Sequence, residues 1–234
     1  MARKRRTAAT GRNLNAITVV FDFGGVLAAR FDADTAIHAE TGGDLEEVRT
    51  AYWAERERYD RGELTAAEYW RLVGAAAGLE DMSEDELAHL QEVDARTWLT
   101  LQPESRDLIH DLARNGIRMA VLSNASAEFG EELRRADWFE AMSFALISGE
   151  EGVAKPDLKI YETLLETLSH ETGGVERPAD VIFFDDLAAN VEAAQTLGID
   201  AHRWPRNSTL THSGEQPGWE IARQHLAARG IPLD

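Results

Sequence analysis

Residues 17–27 read ITVVFDFGGVL, an apolar run that ends in one acid and two glycines. The run is rich in β-forming residues, which predicts a buried strand. Three further apolar runs, each followed by a helical pattern, are RMAVLSN at 118–124, FALISGE at 144–150 and VIFFDDL at 181–187. Strands that alternate with helices form parallel sheets covered on both faces. The sequence therefore predicts an α/β fold built on a parallel sheet.

Polar residues stand at the ends of these predicted strands. Ligands of parallel sheets bind beyond the carboxyl ends of the strands. Asp22, Ser123, Asn124, Asp185 and Asp186 fall at such ends, so we expect them to gather in one crevice. An acid after a strand also serves as a turn or cap residue, and Ser-Asn is a frequent turn pair. The two glycines after the first acid favour function, because they let the backbone turn sharply and present N–H groups to an anion.

Residues 31–100 follow a different pattern, without β-runs and rich in Ala, Glu, Leu and Arg. The pairs Ser83 with Glu86 and Thr65 with Glu68 have the spacing of capping boxes, which begin helices. We expect an inserted cap of about four helices between two core segments, 14–30 and 101–234. An insertion that leaves the core directly after the first strand suits a lid over the crevice. An ordinary helical subdomain explains its existence equally well, but not its position.

Composition limits the partners of this chain of 234 residues. It has 24 Lys and Arg against 42 Asp and Glu, and five of the basic residues lie in an N-terminal tail, 1–13, that we expect to be disordered. The remaining acidic body repels phosphate backbones, which argues against nucleic acid or an anionic membrane as partner. The absence of cysteine excludes disulfides and thiolate chemistry. No apolar run approaches the roughly 20 residues that span a bilayer, so we expect a cytoplasmic protein.

Four stretches, in the order FDFGGVL, VLSNAS, GVAKPDLKIY and VIFFDDLAANVEAA, resemble the four motifs of the haloacid dehalogenase-like superfamily. The resemblance is to phosphatase-type members with a helical cap after the first motif, and RGELTAAEYW at 61–70 is similar to that cap. It implies a Rossmann-like parallel core with an inserted helical cap. It also implies hydrolysis of a small phosphorylated metabolite through an aspartyl-phosphate, with Mg²⁺ as cofactor, by a monomer or homodimer.

The resemblance also implies a role for each polar motif residue. Asp22 is the implied nucleophile, and Lys155 the implied charge stabiliser. Two adjacent acids at the end of a buried strand repel each other unless a cation or donor lies between them, and Mg²⁺ is a natural one. The implied metal ligands are Asp22, the Gly24 carbonyl and Asp186, with Asp185 acting through water and Asn190 in support. The implied phosphate contacts are Phe23, Gly24, Ser123, Asn124 and Lys155.

Gly24 departs from the family pattern, because most phosphatases of this family carry a second acid there. That acid protonates the leaving group, a contribution of typically 10²–10⁴-fold. One interpretation is a phosphatase that works without it, like the α-D-glucose-1-phosphate phosphatase branch, with sugar phosphates ahead of nucleotides. A second is a 2-haloacid dehalogenase, whose halide needs no proton, although the paired acids argue against it. A third is a catalytically weak binding or regulatory domain. A phosphomutase is disfavoured, because its cycle requires that acid.

The cap is expected to select the substrate. Arg61, beside Gly62 at a turn between cap helices, is our candidate for a side chain that faces it. A solvated surface arginine is the alternative.

Overall fold

The computed structural model describes residues 14–28, 33–172, 177–205 and 216–233. The basic tail, with its expected disorder, lies outside these ranges. Within them, five parallel strands form one sheet in the order β3-β2-β1-β4-β5. They are β1 (Thr18–Phe21), β2 (Arg118–Ser123), β3 (Phe144–Ile147), β4 (Val181–Asp185) and β5 (Asp200–Arg203). The predicted Rossmann-like α/β fold is confirmed.

The first strand lies at the centre of the sheet. Phe21, its last residue, pairs with Val121 of β2 and Phe184 of β4. All four residues of β1 are buried, as expected for a strand with helices on both of its faces. Because the three central strands are in register, the residues that follow them meet at one edge of the sheet.

In the described part of the core, six helices flank the sheet. They are α6 (Pro103–Arg114), α7 (Ala127–Arg135), α8 (Ser148–Glu151), α9 (Leu158–Thr172), α10 (Ala188–Thr196) and α11 (Gly218–Ala228). Successive side chains of a strand point to opposite faces. Val19 and Phe21 accordingly pack in one apolar cluster with α6, α7 and α11. Val20 packs in the other, with α9 and α10.

Five helices form the cap in the described residues between 33 and 98, one more than expected. They are α1 (Ala33–Thr41), α2 (Leu45–Ala54), α3 (Arg56–Asp60), α4 (Ala66–Ala76) and α5 (Glu84–Trp98). The extra helix arises because the backbone leaves helical geometry at Glu55, at φ −108° and ψ 4°, which separates α3 from α2. Both capping boxes are present, at Thr65 and Ser83. These helices share an apolar cluster of their own.

The short helix α3 joins the cap to the core. The hydroxyl of Ser148 in α8 donates to the backbone carbonyl of Asp60. The Tyr59 hydroxyl donates to Glu128 Oε2 of α7 at 3.1 Å. Across the described ranges, no helix is both long and apolar enough to cross a membrane.

Candidate active site

Asp22 lies at the carboxyl end of the central strand. Its backbone N–H donates to the Phe184 carbonyl at 2.9 Å, which continues the sheet by one residue. Its Oδ1 accepts the N–H of Phe23 at 2.7 Å. The loop then turns back on itself, since the N–H of Ala28 donates to the Phe23 carbonyl at 3.0 Å. Gly25 has φ 80°, a conformation that favours glycine. The turn geometry therefore favours glycine at residue 25. It places no such requirement on Gly24.

Lys155 brings two of the predicted strand-end acids together. Its Nζ lies 2.8 Å from Asp22 Oδ1 and 2.7 Å from Asp185 Oδ2, and it donates to the Leu122 carbonyl at 2.9 Å. Asn124 holds the lysine backbone through two reciprocal hydrogen bonds of 2.9 Å. A buried ammonium needs such partners, because leaving water is costly for a charge. Lys155 is thus held by its contacts within the crevice, and is not a surface residue.

Three buried carboxylates, those of Asp22, Asp185 and Asp186, offer oxygens that all lie within 4.8 Å of one another. Hard oxygen donors at this spacing suit Mg²⁺. The oxygens of Asp185 already accept hydrogen bonds from Asn190 Nδ2, at 3.0 Å to each oxygen, and from the Leu187 N–H at 2.8 Å. With Lys155 also bound, Asp185 is saturated by protein donors. The donor set therefore fits a cation held by the other two acids.

The electrostatics of the cluster follow from burial and charge. Burial raises the pKa of Asp22 to about 7; Lys155 opposes this increase, while Asp185 and Asp186 add to it. Burial lowers the pKa of Lys155, but Asp185 and Asp22 outweigh that effect and raise it above its ordinary value. A bound cation would favour the charged carboxylates. A second positive charge, in addition to the Lys155 ammonium, would therefore stabilise the cluster.

A cavity of about 250 Å³ opens over these residues. The core contributes Asp22, Phe23, Gly24, Ser123, Asn124, Ala125, Phe129, Lys155, Asp186, Leu187 and Asn190 to its lining, and the cap contributes Trp53, Arg56, Asp60 and Trp98. Phe23 is fixed by ring contacts with Phe129 and Trp138, at centroid distances of 5.3 and 5.7 Å. The structure thus brings all the motif residues except the saturated Asp185 to the wall of one cavity under the cap.

A family model described as a haloacid dehalogenase-like hydrolase matches residues 18–198, a span that begins at β1 and includes all four motifs. The chain belongs to this family. The resemblance seen in the sequence is confirmed.

Curated relatives of this hydrolase include two named phosphatases. A sesquiterpene phosphatase of Aspergillus oryzae is 26% identical over 184 residues, which cover 77% of this chain and 85% of that protein. A phosphatase of Mycobacterium tuberculosis is 28% identical over 194 residues, or 79% of this chain and 85% of that protein. These names agree with the expectation of a phosphatase.

Solved structures share the fold of the hydrolase. A family enzyme of Bacteroides thetaiotaomicron, in complex with magnesium and inorganic phosphate, aligns with a TM-score of 0.62 at 19% identity, covering 84% of this chain and 98% of that one. An L-2-haloacid dehalogenase of Xanthobacter autotrophicus aligns with a TM-score of 0.59 at 20% identity, covering 92% and 84%. At these identities the likeness establishes the fold alone.

The structure does not place Arg61 at the cavity of the hydrolase. Its Nη2 lies 3.0 Å from Oε1 of Glu57, and a third of its side chain is exposed. The cap cation in the cavity wall is Arg56, which is buried and lies 2.9 Å from Asp60 Oδ1 and 3.1 Å from Asp94 Oδ2. Neither Arg56 nor Asp60 was predicted from the sequence as a cavity residue. Their i, i+4 spacing was the available signal, since it puts an acid and a base on one helix face.

The surroundings of Gly24 also come from the cap. A Cβ built on Gly24 would lie 3.5 Å from Cζ3 of Trp98, an ordinary contact distance. The indole Nε1 of Trp98 donates to the Tyr52 hydroxyl at 3.1 Å. The position at which the family resemblance implies a second acid is therefore faced by an aromatic ring of the cap.

Proposed function

We propose that this hydrolase cleaves phosphate monoesters of small metabolites with Mg²⁺, through an aspartyl-phosphate on Asp22. The observation that carries the proposal is the position of the Lys155 ammonium, 2.8 Å from Asp22 and 2.7 Å from Asp185, within a buried acidic cluster. Phosphoryl transfer requires a nucleophile held in place and compensation of the phosphate charge. The relatives named phosphatases support the same reaction class.

Each site residue has its own role in the proposed reaction. The Phe23 N–H and Lys155 both contact Oδ1 of Asp22, so Oδ2 is the oxygen available to attack phosphorus. Ser123 and Asn124, at the end of β2, offer donors to the phosphate oxygens. Asp22, Asp186 and the Gly24 carbonyl would hold Mg²⁺, which would supply positive charge to neutralise the phosphate. Asp185 and Asn190 orient Lys155 and the loop that carries Asp186.

The first motif cannot protonate the leaving group, because Gly24 has no acidic side chain. An anomeric oxygen leaves more readily than an ordinary alcohol, because the ring oxygen withdraws electron density from it. Sugar 1-phosphates, whose leaving oxygen needs the least help from a proton donor, are our first substrate class. The cavity volume of about 250 Å³ suits a small molecule.

The cavity wall favours a second substrate class, the phosphates of apolar alcohols. Trp53, Trp98, Phe129 and Leu187 contribute apolar side chains to the cavity wall. Trp53 and Leu187 are 49% and 40% exposed, which leaves apolar surface for a ligand to cover. The Aspergillus oryzae relative named a sesquiterpene phosphatase supports this class.

A substrate panel with and without Mg²⁺ tests the proposal. It should contain 4-nitrophenyl phosphate, sugar 1- and 6-phosphates, an isoprenoid monophosphate and 2-chloropropionate. We expect phosphate release that requires Mg²⁺. Halide release without metal would instead assign a dehalogenase, and the absence of both products would assign a binding domain.

A further inference from the structure

The proposed reaction lacks a proton donor in the core. Among the cavity residues of the described chain, the carboxylates are Asp22, Asp186 and Asp60. The first is the nucleophile, and the second belongs to the cation site. We infer that Asp60, on cap helix α3, is the general acid and base that takes the place of the acid missing at residue 24. This inference rests on the proposed function.

The turn after α3 fixes Asp60 against the core. Gly62, two residues later, has φ 74°, and a Cβ there would lie 2.6 Å from the Gly149 carbonyl oxygen. Only glycine permits this approach of the cap to α8. The Ser148 hydroxyl donates to the Asp60 carbonyl from the same helix. The position of the Asp60 backbone is thus set by the core and not by the cap alone.

The Asp60 side chain is held in place yet remains open to the cavity. Arg56 Nε donates to its Oδ1 at 2.9 Å, and 15% of the side chain is exposed. The Ser126 N–H also faces it. General acids work from such fixed positions, within hydrogen-bond reach of the atom they protonate.

The charges around Asp60 favour a proton on one of two carboxyls, that of Asp60 or that of Asp94. Asp60 and Asp94 share one guanidinium, that of Arg56. Asp94 also accepts the Tyr52 hydroxyl at 2.5 Å and is not part of the cavity wall. Two carboxylates that share one buried cation carry a net negative charge, and a proton on one of them removes it. Asp60 is the one that substrate can reach.

The pKa of Asp60 supports this assignment. Burial raises it to about 6, with Asp94 contributing to the increase and Arg56 opposing it. The titratable groups that face Asp60 are Arg56 on its own helix, Asp94 on α5 and Tyr69 on α4. A carboxyl with this pKa exchanges protons near neutral pH, as a general acid must.

The proton balance closes over the two steps. As Asp22 attacks, the P–O bond breaks with its electron pair on the leaving oxygen, and Asp60 gives its proton to that oxygen. The products are the alcohol, the aspartyl-phosphate and the Asp60 carboxylate. Water then attacks the aspartyl-phosphate, and Asp60 takes one of its protons. Inorganic phosphate leaves, and Asp22 and protonated Asp60 are regenerated.

The test compares glycerol 3-phosphate, a poor leaving group, with 4-nitrophenyl phosphate, a good one. Asp60→Asn should lower kcat/KM for glycerol 3-phosphate by about 10²–10⁴-fold and change that for 4-nitrophenyl phosphate by less than about tenfold, because nitrophenolate leaves without a proton. Glu57→Gln is the matched control, since Glu57 lies on the same helix with 79% of its side chain exposed. It should leave both values unchanged.

A pH series in the unaltered enzyme keeps the inference testable even if Asp60→Asn does not fold. Each kcat/KM is expressed per substrate dianion. The ratio of kcat/KM for glycerol 3-phosphate to kcat/KM for 4-nitrophenyl phosphate should rise as pH falls from 8 to 6. Carbon-13 NMR of the metal-free protein should show a carboxyl that titrates in this range and is lost in Asp60→Asn. An equal loss on both substrates, or a flat ratio across pH, would overturn the role of Asp60. No turnover of 4-nitrophenyl phosphate by the unaltered enzyme would instead overturn the proposed function.

Discussion

Trp98 of the cap faces Gly24 of the core, and a Cβ on Gly24 would meet Cζ3 of its indole ring at 3.5 Å. This relationship links the first motif to the cap. The core loop has glycine at the point where the cap presents an aromatic ring. Under the inference about Asp60, the core supplies the nucleophile and the inserted helices supply the proton.

Restoring the acid at residue 24 should compensate for the loss of Asp60. In an Asp60→Asn background, Gly24→Asp is expected to raise kcat/KM for glycerol 3-phosphate by up to about 10²–10⁴-fold, with little effect on 4-nitrophenyl phosphate. The new Cβ fits at ordinary contact distance from Trp98. Gly24→Ala in the same background adds the Cβ without the acid and should give no gain. A folded, active double variant with an unchanged ratio of the two values contradicts the prediction.

Removal of either proposed metal ligand should abolish Mg²⁺-dependent turnover. Asp22→Asn removes the nucleophile, and Asp186→Asn removes a carboxylate of the cation site. We expect 4-nitrophenyl phosphate hydrolysis to fall to the buffer rate in both. Asp157→Asn, an exposed acid beside Pro156, is the control and should retain full activity. Full activity in either site variant, or turnover in excess EDTA, would be incompatible with the assignment.

Asp22 should make the stability of the metal-free protein depend on pH. Its pKa is raised from 3.8 to about 7, so between these values the folded state binds more protons than the unfolded state, and stability falls as pH rises. Asp22→Asn removes this dependence and should therefore unfold at higher urea concentration than the unaltered protein at pH 8, and at a similar concentration near pH 4. Asp107→Asn, an exposed acid of α6, should show no such difference.

Adding Mg²⁺ at pH 8 should make the unaltered protein more stable than Asp22→Asn, because a bound cation stabilises the ionised carboxylates of the unaltered protein. Urea denaturation with and without the metal measures both effects. If Asp22→Asn is the less stable protein at pH 8 in EDTA, the carboxylates do not repel one another as proposed.

The cap should respond to a phosphate analogue as one unit. Beryllium fluoride with Mg²⁺ mimics the aspartyl-phosphate, and its capture should draw residues 31–100 onto the core. We expect slower amide hydrogen exchange in α3, where the contacts of Tyr59 with Glu128 and of Asp60 with Ser148 join cap and core. We expect the same in the connection at 99–102, which is bonded to the core through the Gln102 N–H and the Leu27 carbonyl. Asp22→Asn, which cannot form the adduct, provides the control. Exchange unaffected by the analogue would rule out a lid.

The sequence by itself determined the parallel sheet and the gathering of strand-end polar residues at its edge, namely Asp22, Ser123, Asn124, Asp185 and Asp186. Each of these residues follows an apolar run, and parallel strands in register end together. The capping boxes at Thr65 and Ser83 could also be predicted from the sequence, because their hydrogen bonds span only three residues.

Only the tertiary structure decided which cap residues line the cavity. Arg56 and Arg61 lie five positions apart, which is about 140° around a helix, so just one of them can point into the cavity. The choice depends on the break at Glu55, which starts α3, and on the approach of Gly62 to Gly149. These contacts join segments that are far apart in the sequence. They depend on tertiary packing and cannot be predicted from the sequence of one short polar helix. The same packing places Asp60 in the cavity and Trp98 against Gly24.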